Sequence, residues 1–288
     1  MKPAEFAYHR PESVAEALFL LAELPDAKLL AGGQSLLTLM NLRLARPAAV
    51  IDIGGLVELT RIFDDTDDLV LGAMVTHRTV ETDPLIAART PLLADAARYI
   101  GHIGIRNRGT IGGSLAHADP AAEMPLAALA LGATCHVESA ARGRRAVAAQ
   151  DLFLSFYTNS LEPDEMLTWI SLPAITPQQG WGFVEYAHQH GDYGMAGAGV
   201  MLTLGAAGRV EEVRAAVLNA ADRPLLFTAG VGEYPSAGLW EQLAADWAAQ
   251  TEPSADDAAY ARRLCAVALE EALTAAAGRL AAEQEVLR

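Results

Sequence analysis

The stretch Lys28-Leu29-Leu30-Ala31-Gly32-Gly33-Gln34-Ser35-Leu36-Leu37 decides how this chain is interpreted. An apolar run typical of a strand ends in two glycines and a polar pair, and a second apolar run that can start a helix follows. Glycine permits close approach and positive φ, so such a turn can offer N–H groups to an anion without a cation. Gln34 and Ser35 add side-chain donors. The alternative is a tight strand-to-helix turn without a ligand.

A second glycine pair lies downstream in Thr110-Ile111-Gly112-Gly113-Ser114. Polar His117 and Asp119 follow it in otherwise apolar sequence. Arg106 and Arg108 precede it, and they either neutralise an anion or form a solvated basic edge. Neither loop has the GxGxxG of a nicotinamide site or the GxxxxGK[ST] of a P-loop. We interpret the two loops as halves of one site for a dinucleotide, and that dinucleotide as a flavin.

Composition excludes several classes of function. The formal net charge of −15 disfavours binding to nucleic acid, because an acidic chain repels phosphate backbones. The two cysteines, Cys135 and Cys265, form no CxxC motif, so the chain holds neither a zinc knuckle nor an iron–sulfur cluster. The apolar runs are shorter than the ~20 residues of a membrane span, and the segment 1–6 lacks a signal core. We therefore expect a soluble, cytoplasmic protein.

The order of predicted elements indicates an α+β chain. Ser13 and Glu16 have capping-box spacing, which predicts a helix that ends before Pro25. Strand, glycine loop, helix and strand then indicate a small parallel α/β unit. The segment 173–180 is the best boundary candidate. The further predictions are strands at 28–31, 49–53, 59–63, 69–71 and 165–172, helices at 35–42, 84–100 and 124–131, a hairpin at 134–148, an antiparallel meander at 183–187, 198–204 and 210–218, and a last helix from about Asp256 to the end.

With both loops in view, the chain resembles the FAD-binding medium subunit of the molybdenum hydroxylases, the carbon-monoxide dehydrogenase and xanthine dehydrogenase family. The resemblance covers essentially the whole chain. It is carried by the segments Phe6–Pro11, Ala31–Ser35 (AGGQS), Thr110–Gly113 (TIGG), Ala116–Pro125 (AHADPAAEMP) and Gly191–Tyr193.

The resemblance implies the vanillyl-alcohol-oxidase (PCMH)-type FAD-binding fold of the α+β class. Residues 1–175 would form the FAD-binding domain, with lobes at about 1–57 and 58–175. Residues 176–288 would form the C-terminal cap domain, a three-stranded antiparallel sheet with helices.

The resemblance also implies roles for individual residues. The loops 28–36 and 110–114 would hold the FAD pyrophosphate by backbone donors. His117, Asp119 and Glu123 lie where relatives contact the ribityl or adenosine parts. Asp192 and Tyr193 match a position where an aromatic residue lies against the isoalloxazine ring; the alternative is an ordinary hairpin tyrosine.

The sequence departs from the family pattern without losing a glycine of either pair. Several relatives have His in place of Gln34 and Asn in place of Ser114. Relatives often carry Lys or Arg where this chain has His188, Gln189 and His190. A fixed positive charge near the flavin is therefore not expected from this segment.

The family implies an electron-transfer subunit. A large subunit would carry the molybdopterin cofactor, and a small subunit two [2Fe–2S] clusters that pass electrons to FAD in this chain, in a dimer of heterotrimers. FAD supplies the redox chemistry, so no acid–base pair is needed here. The first alternative is a free-standing flavin oxidoreductase of the vanillyl-alcohol-oxidase type, and the second is a flavin-free structural subunit.

Two other groups of residues, a possible histidine metal site and a nominal hydrolase triad, are weaker indications of function. His188 and His190 lack a matching third ligand, so surface histidines are favoured over a metal site. Ser35, His102 and Asp52 form a nominal hydrolase triad, but no G-x-S-x-G elbow accompanies them.

Overall fold

A computed structural model describes residues 2–254 and 257–286 of the 288-residue chain. Its strands are β1 Ala7–His9, β2 Ala27–Leu30, β3 Ala49–Asp52, β4 Ile62–Asp65, β5 Asp68–Gly72, β6 Thr134–Ser139, β7 Gly143–Ala148, β8 Phe153–Ser155, β9 Thr158–Asn159, β10 Glu165–Pro173, β11 Gln179–Tyr186, β12 Ala196–Leu204, β13 Val210–Leu218 and β14 Leu225–Ala229. Its helices are α1 Val14–Glu23, α2 Leu36–Asn41, α3 His77–Thr82, α4 Pro84–Arg89, α5 Pro91–Ala97, α6 Ile103–Arg106, α7 Ile111–His117, α8 Glu123–Leu131, α9 Ala149–Leu152, α10 Ala237–Ala248 and α11 Ala258–Val286. In these two ranges, no helix combines the length and the apolar composition that a bilayer crossing requires.

The first sheet is parallel, with the strand order β1-β3-β2. Helix α1 packs beside it through Ala17, Leu18 and Leu21. The predicted start of α1 is confirmed, because the Ser13 side chain accepts a hydrogen bond from the N–H of Glu16 at 3.2 Å. Since the strands are parallel, their carboxyl ends lie at one edge of the sheet, and the first glycine loop begins there.

The second sheet is antiparallel, with the strand order β4-β5-β10-β6-β7. The predicted hairpin of β6 and β7 is confirmed. Helix α8 lies in the core beside this sheet, and all nine of its residues are buried, including the acid Glu123. Helix α7, which carries the second glycine pair, packs against both α8 and β10.

Two predictions for this region were wrong in detail. The predicted single helix over 84–100 is divided into α4 and α5 at Thr90, because Pro91 has no N–H to continue the first helix and its ring crowds the preceding turn. The predicted strand over 59–63 begins only at Ile62. Residues Val57–Thr60 form a 3-10 turn instead, and the carbonyl of Leu59 in that turn accepts from the N–H of Met74 at 2.9 Å.

The third sheet has four antiparallel strands, in the order β11-β12-β13-β14, rather than the predicted three. The additional strand β14 lies at the edge and pairs with β13. Val217 lies opposite Leu225 at one end of this pairing, and Val213 lies opposite Ala229 at the other end. Its five residues show no alternation of buried and exposed positions, so only the pairing partner defines it as a strand.

Helices α10 and α11 cover one face of the third sheet. A methyl group on Gly180 or Gly182 would overlap the backbone carbonyls of α11, so these glycines let the helix lie directly on the strand. The predicted start of the last helix, Asp256, lies outside the described residues. The division into domains at about residue 175 stays a prediction.

Candidate functional site

The two glycine loops are in contact, although they are far apart in the sequence. A methyl group on Gly32 would overlap the carbonyl oxygen of Arg108, just before the second loop. A methyl group on Gly113 would lie 3.5 Å from the Cβ of Ala31. Gly32 therefore has a steric reason to be glycine: any side chain would push the two loops apart.

The first loop connects the end of β2 to α2 and leaves backbone donors unused. Gly33 has φ +73°, a left-handed conformation that favours glycine. The Gln34 side chain donates to the carbonyl of Gly32 at 2.9 Å, which braces the turn. Within the described residues, the N–H groups of Gly33, Gln34 and Ser35 have no hydrogen-bond acceptor. An array of free N–H groups in a glycine turn suits an anion.

The predicted residues of the first loop fall on three kinds of local structure. Ser35 occupies the N-cap position of α2, but its hydroxyl makes no capping hydrogen bond. All members of the predicted set are at least partly accessible. Lys28, Leu29 and Leu30 belong to β2, Ala31, Gly32, Gly33 and Gln34 form the turn, and Leu36 begins α2.

The second loop uses its backbone donors within the chain. The N–H of Ile111 donates to Val75, and that of Gly112 to Ala73, at 3.0 and 2.9 Å. The N–H of Gly113 donates to the Thr110 hydroxyl at 3.1 Å, which caps α7. The N–H of Ser114 donates to the Thr110 carbonyl. Of the two loops, only the first therefore has backbone N–H groups without an acceptor in the described residues, because the second pairs its N–H groups with Val75, Ala73 and Thr110.

A cavity of about 240 Å³ lies where the loops meet the parallel sheet. Asp52, at the end of β3, accepts from the Tyr8 hydroxyl at 2.5 Å and from the N–H of Gly54 at 2.9 Å. Open parallel sheets bind ligands at the carboxyl ends of their strands. Applied to the sequence, that rule would have identified Asp52 and Gly54, which lie at the end of β3. The lining residues are Arg10, Leu30, Ala31, Gly33, Leu37, Asp52, Gly54 and Arg108.

Arg106 is engaged in the structure and does not serve as the anion-neutralising residue considered from the sequence. Its Nε lies 2.9 Å from a carboxylate oxygen of Glu81, and its terminal nitrogen donates to the carbonyls of Ile100 and Gly101. Gly101 in turn touches the Gly191 turn. Arg108, in contrast, lines the cavity.

The predicted polar residues His117, Asp119 and Glu123 gather at the end of α7 and the start of α8. Asp119 is buried, and its carboxylate accepts from the N–H of Ala121 at 2.9 Å. Burial, with the charge of Asp119, raises the pKa of Glu123 to about 7. Burial lowers the pKa of His117, whose ring centroid lies 5.1 Å from that of Tyr157.

Tyr193 lies beside this cluster, on the turn between β11 and β12. Its side chain is 75% exposed, yet loss of water around the hydroxyl and the charge of Asp119 raise its pKa. Gly191 shapes the turn with φ +88°. Asp192 is exposed in the same turn, and its N–H donates to the carbonyl of Gln189.

The alternative constellations do not assemble. His102 accepts from the N–H of Gly104 through Nδ1, which uses the group that a triad would need. His188 and His190 are exposed. In the part of the chain that the structure describes, no group of His, Cys, Asp or Glu is arranged to hold a metal ion.

An FAD pyrophosphate fits the residues present at the loops. The glycine turn is one that a Cβ would fill, its N–H groups are free, and a cavity adjoins it. Glycine loops between two α/β units, followed by an antiparallel sheet with helices, agree with the vanillyl-alcohol-oxidase (PCMH)-type FAD-binding fold that the resemblance implies.

Residues 4–175 match the family of the "FAD binding domain in molybdopterin dehydrogenase", and the chain belongs to this family of oxidoreductase subunits. The chain is 38% identical to the carbon monoxide dehydrogenase medium chain of Hydrogenophaga pseudoflava, over 98% of this chain and 100% of that one. It is 46% identical to the nicotine 6-hydroxylase medium subunit of Paenarthrobacter nicotinovorans, over 75% of each chain. A structure of H. pseudoflava carbon monoxide dehydrogenase matches with a TM-score of 0.92 and 37% identity, over 97% of this chain and 99% of the other.

Proposed function

We propose that this chain is the FAD-binding electron-transfer subunit of a heteromeric molybdenum-containing hydroxylase or dehydrogenase. It would take electrons from [2Fe–2S] clusters of a small partner subunit and pass them to an external acceptor. The observation that carries the proposal is the contact between the glycine loops, with free N–H groups on the first loop beside the cavity. FAD, when bound, would supply the redox chemistry.

The roles proposed for the residues differ between the two loops. The N–H groups of Gly33, Gln34 and Ser35 would bind the pyrophosphate, while the second loop would form the opposite wall. The Ser114 side chain is partly accessible on that wall and would add a hydroxyl donor. His117, Asp119 and Glu123 would contact the ribityl or adenosine parts. Tyr193 would lie against the isoalloxazine ring and limit the access of water to it.

The partners follow from the family. The relatives are named as medium chains or medium subunits, which supports a large and a small partner for this chain. We propose that the large subunit carries the molybdopterin cofactor, that the complex is a dimer of heterotrimers, and that it is cytoplasmic.

Replacement of the glycines in the first loop tests the proposal. Gly32→Val with Gly33→Val should abolish FAD retention, because the side chains would fill the cradle and separate the loops. Gly238→Val is the matched control, since nothing lies within 4 Å of a Cβ at Gly238. The measurement is the ratio of flavin to protein absorbance in the purified protein, with circular dichroism as the test of folding.

Full FAD occupancy in the double variant would show that this loop is not the anchor. A wild-type chain that carries no flavin would favour the structural subunit instead. Reduction of the isolated chain by an organic substrate, without partner subunits, would favour the free-standing oxidoreductase.

A further inference from the structure

A buried acid that the proposed flavin contacts do not use lies near the end of β11. One carboxyl oxygen of Glu185 is buried and has no hydrogen-bond partner in the part of the chain that the structure describes. An ionised carboxylate is costly in such a place, because it has lost water and gained neither a cation nor a donor. Burial, with the charge of Glu123, raises the pKa of Glu185 to about 8. Glu185 therefore holds a proton at neutral pH.

Glu123, at the start of α8, is close enough for its charge to act on Glu185, and the two acids are termed the carboxyl pair. Glu123 is only 9% exposed. Among the side chains of residues 2–254 and 257–282, no Lys, Arg or His forms an ion pair with either acid. Two interacting carboxyl groups without a cation resist carrying two negative charges, so they titrate as a unit and share protons.

The titratable groups that surround the carboxyl pair in the described chain are acidic or neutral at pH 7. Asp119, in the turn between α7 and α8, is a third buried acid. Tyr157 and Tyr193 are phenols whose pKa values are raised, chiefly by burial. Burial lowers the pKa of His117 on α7, so this imidazole is neutral. None of these groups offsets the charge of a carboxylate, so a proton has to.

Glu185 lies under the turn that carries Tyr193. A Cβ on Gly194, the residue after Tyr193, would lie 3.2 Å from the carboxyl carbon of Glu185. The Asn219 side chain holds the same turn, because it donates to the carbonyl of Gly194 at 3.2 Å. On β12, the residue opposite Glu185 is Gly197, which adds no charge. Since Tyr193 is the residue proposed to lie against the isoalloxazine ring, the carboxyl pair lies beside the proposed position of that ring.

A negative charge that arises beside a carboxyl group favours the protonated form of that group. We propose that the carboxyl pair takes up one proton from water when the bound flavin ring is reduced. Two electrons and one proton enter the ring, which becomes an anion, and one further proton binds a carboxylate oxygen of the pair. Reoxidation returns the electrons to the acceptor and both protons to water.

Glu185 is a positioning residue in this scheme. It acts on the ring through Glu123 and through the turn that carries Tyr193, and not by contact with the ring. The inference rests on the proposed function, which supplies the FAD and the source of the electrons.

The pH dependence of the flavin midpoint potential tests this inference in the purified, FAD-containing complex. Glu185→Gln keeps the shape of the protonated acid but cannot bind or release the proton. Above about pH 8, where the oxidised wild type has lost a proton from the pair, the equilibrium constant for reduction should fall up to tenfold more per pH unit in the wild type than in this variant. That difference is about 30 mV per pH unit for a two-electron couple. Below about pH 7 the two slopes should agree.

Two further variants and a spectrum separate proton binding from a structural effect. Glu185→Asp keeps a carboxyl group and should keep the steeper pH dependence. Glu271→Gln is the matched control, because the Glu271 carboxylate accepts from the Tyr186 hydroxyl at 2.7 Å on the opposite face of β11. Its slope should equal that of the wild type. At the same alkaline pH, the infrared difference spectrum of reduced minus oxidised protein should gain the C=O stretch of a carboxylic acid in the wild type and not in Glu185→Gln.

Each alternative result has a definite meaning. Equal slopes in the wild type and Glu185→Gln overturn the inference, and so does the same loss of slope in Glu185→Asp or Glu271→Gln. A Glu185→Gln variant that fails to fold or to hold FAD also overturns it, since a neutral isostere should replace a protonated acid. A wild type without FAD overturns the proposed function and the inference with it. In this titration a chemical reductant supplies the electrons through mediators, so a flavin that titrates as expected but receives no electrons from the iron–sulfur clusters overturns the proposed function alone.

Discussion

The two glycine pairs have similar sequences but different structural roles. In the first loop, Gly33 adopts positive φ, and the N–H groups of Gly33, Gln34 and Ser35 have no acceptor in the part of the chain that the structure describes. In the second loop, Gly112 is buried against Ala73, and every N–H from Ile111 to Ser114 has an acceptor. A Gly-Gly motif thus predicts a place where the backbone closely approaches either a ligand or another part of the protein. Whether that neighbour is a ligand or the protein itself depends on which hydrogen-bond donors remain unused.

The largest expected effect of this difference is on stability. Gly112→Ala should lower the free energy of unfolding by about 3 kcal/mol, because a methyl group there would overlap the Cβ of Ala73 and approach its carbonyl to 2.7 Å. Gly33→Ala should cost only about 1 kcal/mol, for the positive φ, since its nearest neighbours are flexible leucine side chains. Urea unfolding of the flavin-free proteins, with Gly238→Ala as control, is the measurement. Equal losses in the two variants would contradict the distinction between the loops.

A second difference is in the response to pH, because only the second loop leads into buried carboxyl groups. Burial raises the pKa of Glu123 to about 7 from the 4.5 of a free side chain. The folded state therefore holds the proton longer than the unfolded state, and stability falls as the pH rises from about 4.5 through 7.

Glu123→Gln should remove this part of the pH dependence. The variant should gain about 2 kcal/mol relative to the wild type between pH 5 and pH 8, since one pKa unit corresponds to about 1.4 kcal/mol. Urea unfolding of the flavin-free proteins at both pH values measures it. A difference between the two proteins that does not change with pH would show that Glu123 is ionised in the folded state as it is in the unfolded chain.

The smallest expected effect is the difference in stability between losing the side chain of Thr110, the N-cap of α7, and losing that of Ser35, the N-cap of α2. Thr110→Val removes the hydroxyl that accepts from Gly113 and should lower the free energy of unfolding by about 1 kcal/mol. Ser35→Ala removes a hydroxyl without a capping bond, so it should change stability by less than about 0.5 kcal/mol. Thermal unfolding of the flavin-free variants checks both values. The comparison would fail if Ser35→Ala were as destabilising as Thr110→Val.

Local signals in the sequence predicted several elements correctly. The capping box at Ser13, the parallel order around the first loop, the β6–β7 hairpin and strand β13 were all read from periodicity and turn residues. The elements that the sequence did not predict depend on residues that contact them only in the folded chain. Strand β14 exists because β13 offers it an edge, and the 3-10 turn at Leu59 forms where Met74 supplies a donor.

The sequence by itself determined the family, the two glycine loops and the interpretation of the site as a flavin site, because these depend on residue types at fixed spacing. Only the tertiary structure decided that Gly32 packs on Arg108, that the free donors belong to the first loop, and that Arg106 is held by Glu81. It also added Asp52 and Arg10 to the cavity. The physical reason is that hydrogen-bond satisfaction and steric contact join residues that are distant in the chain, and spacing along the sequence does not encode which donor is already occupied.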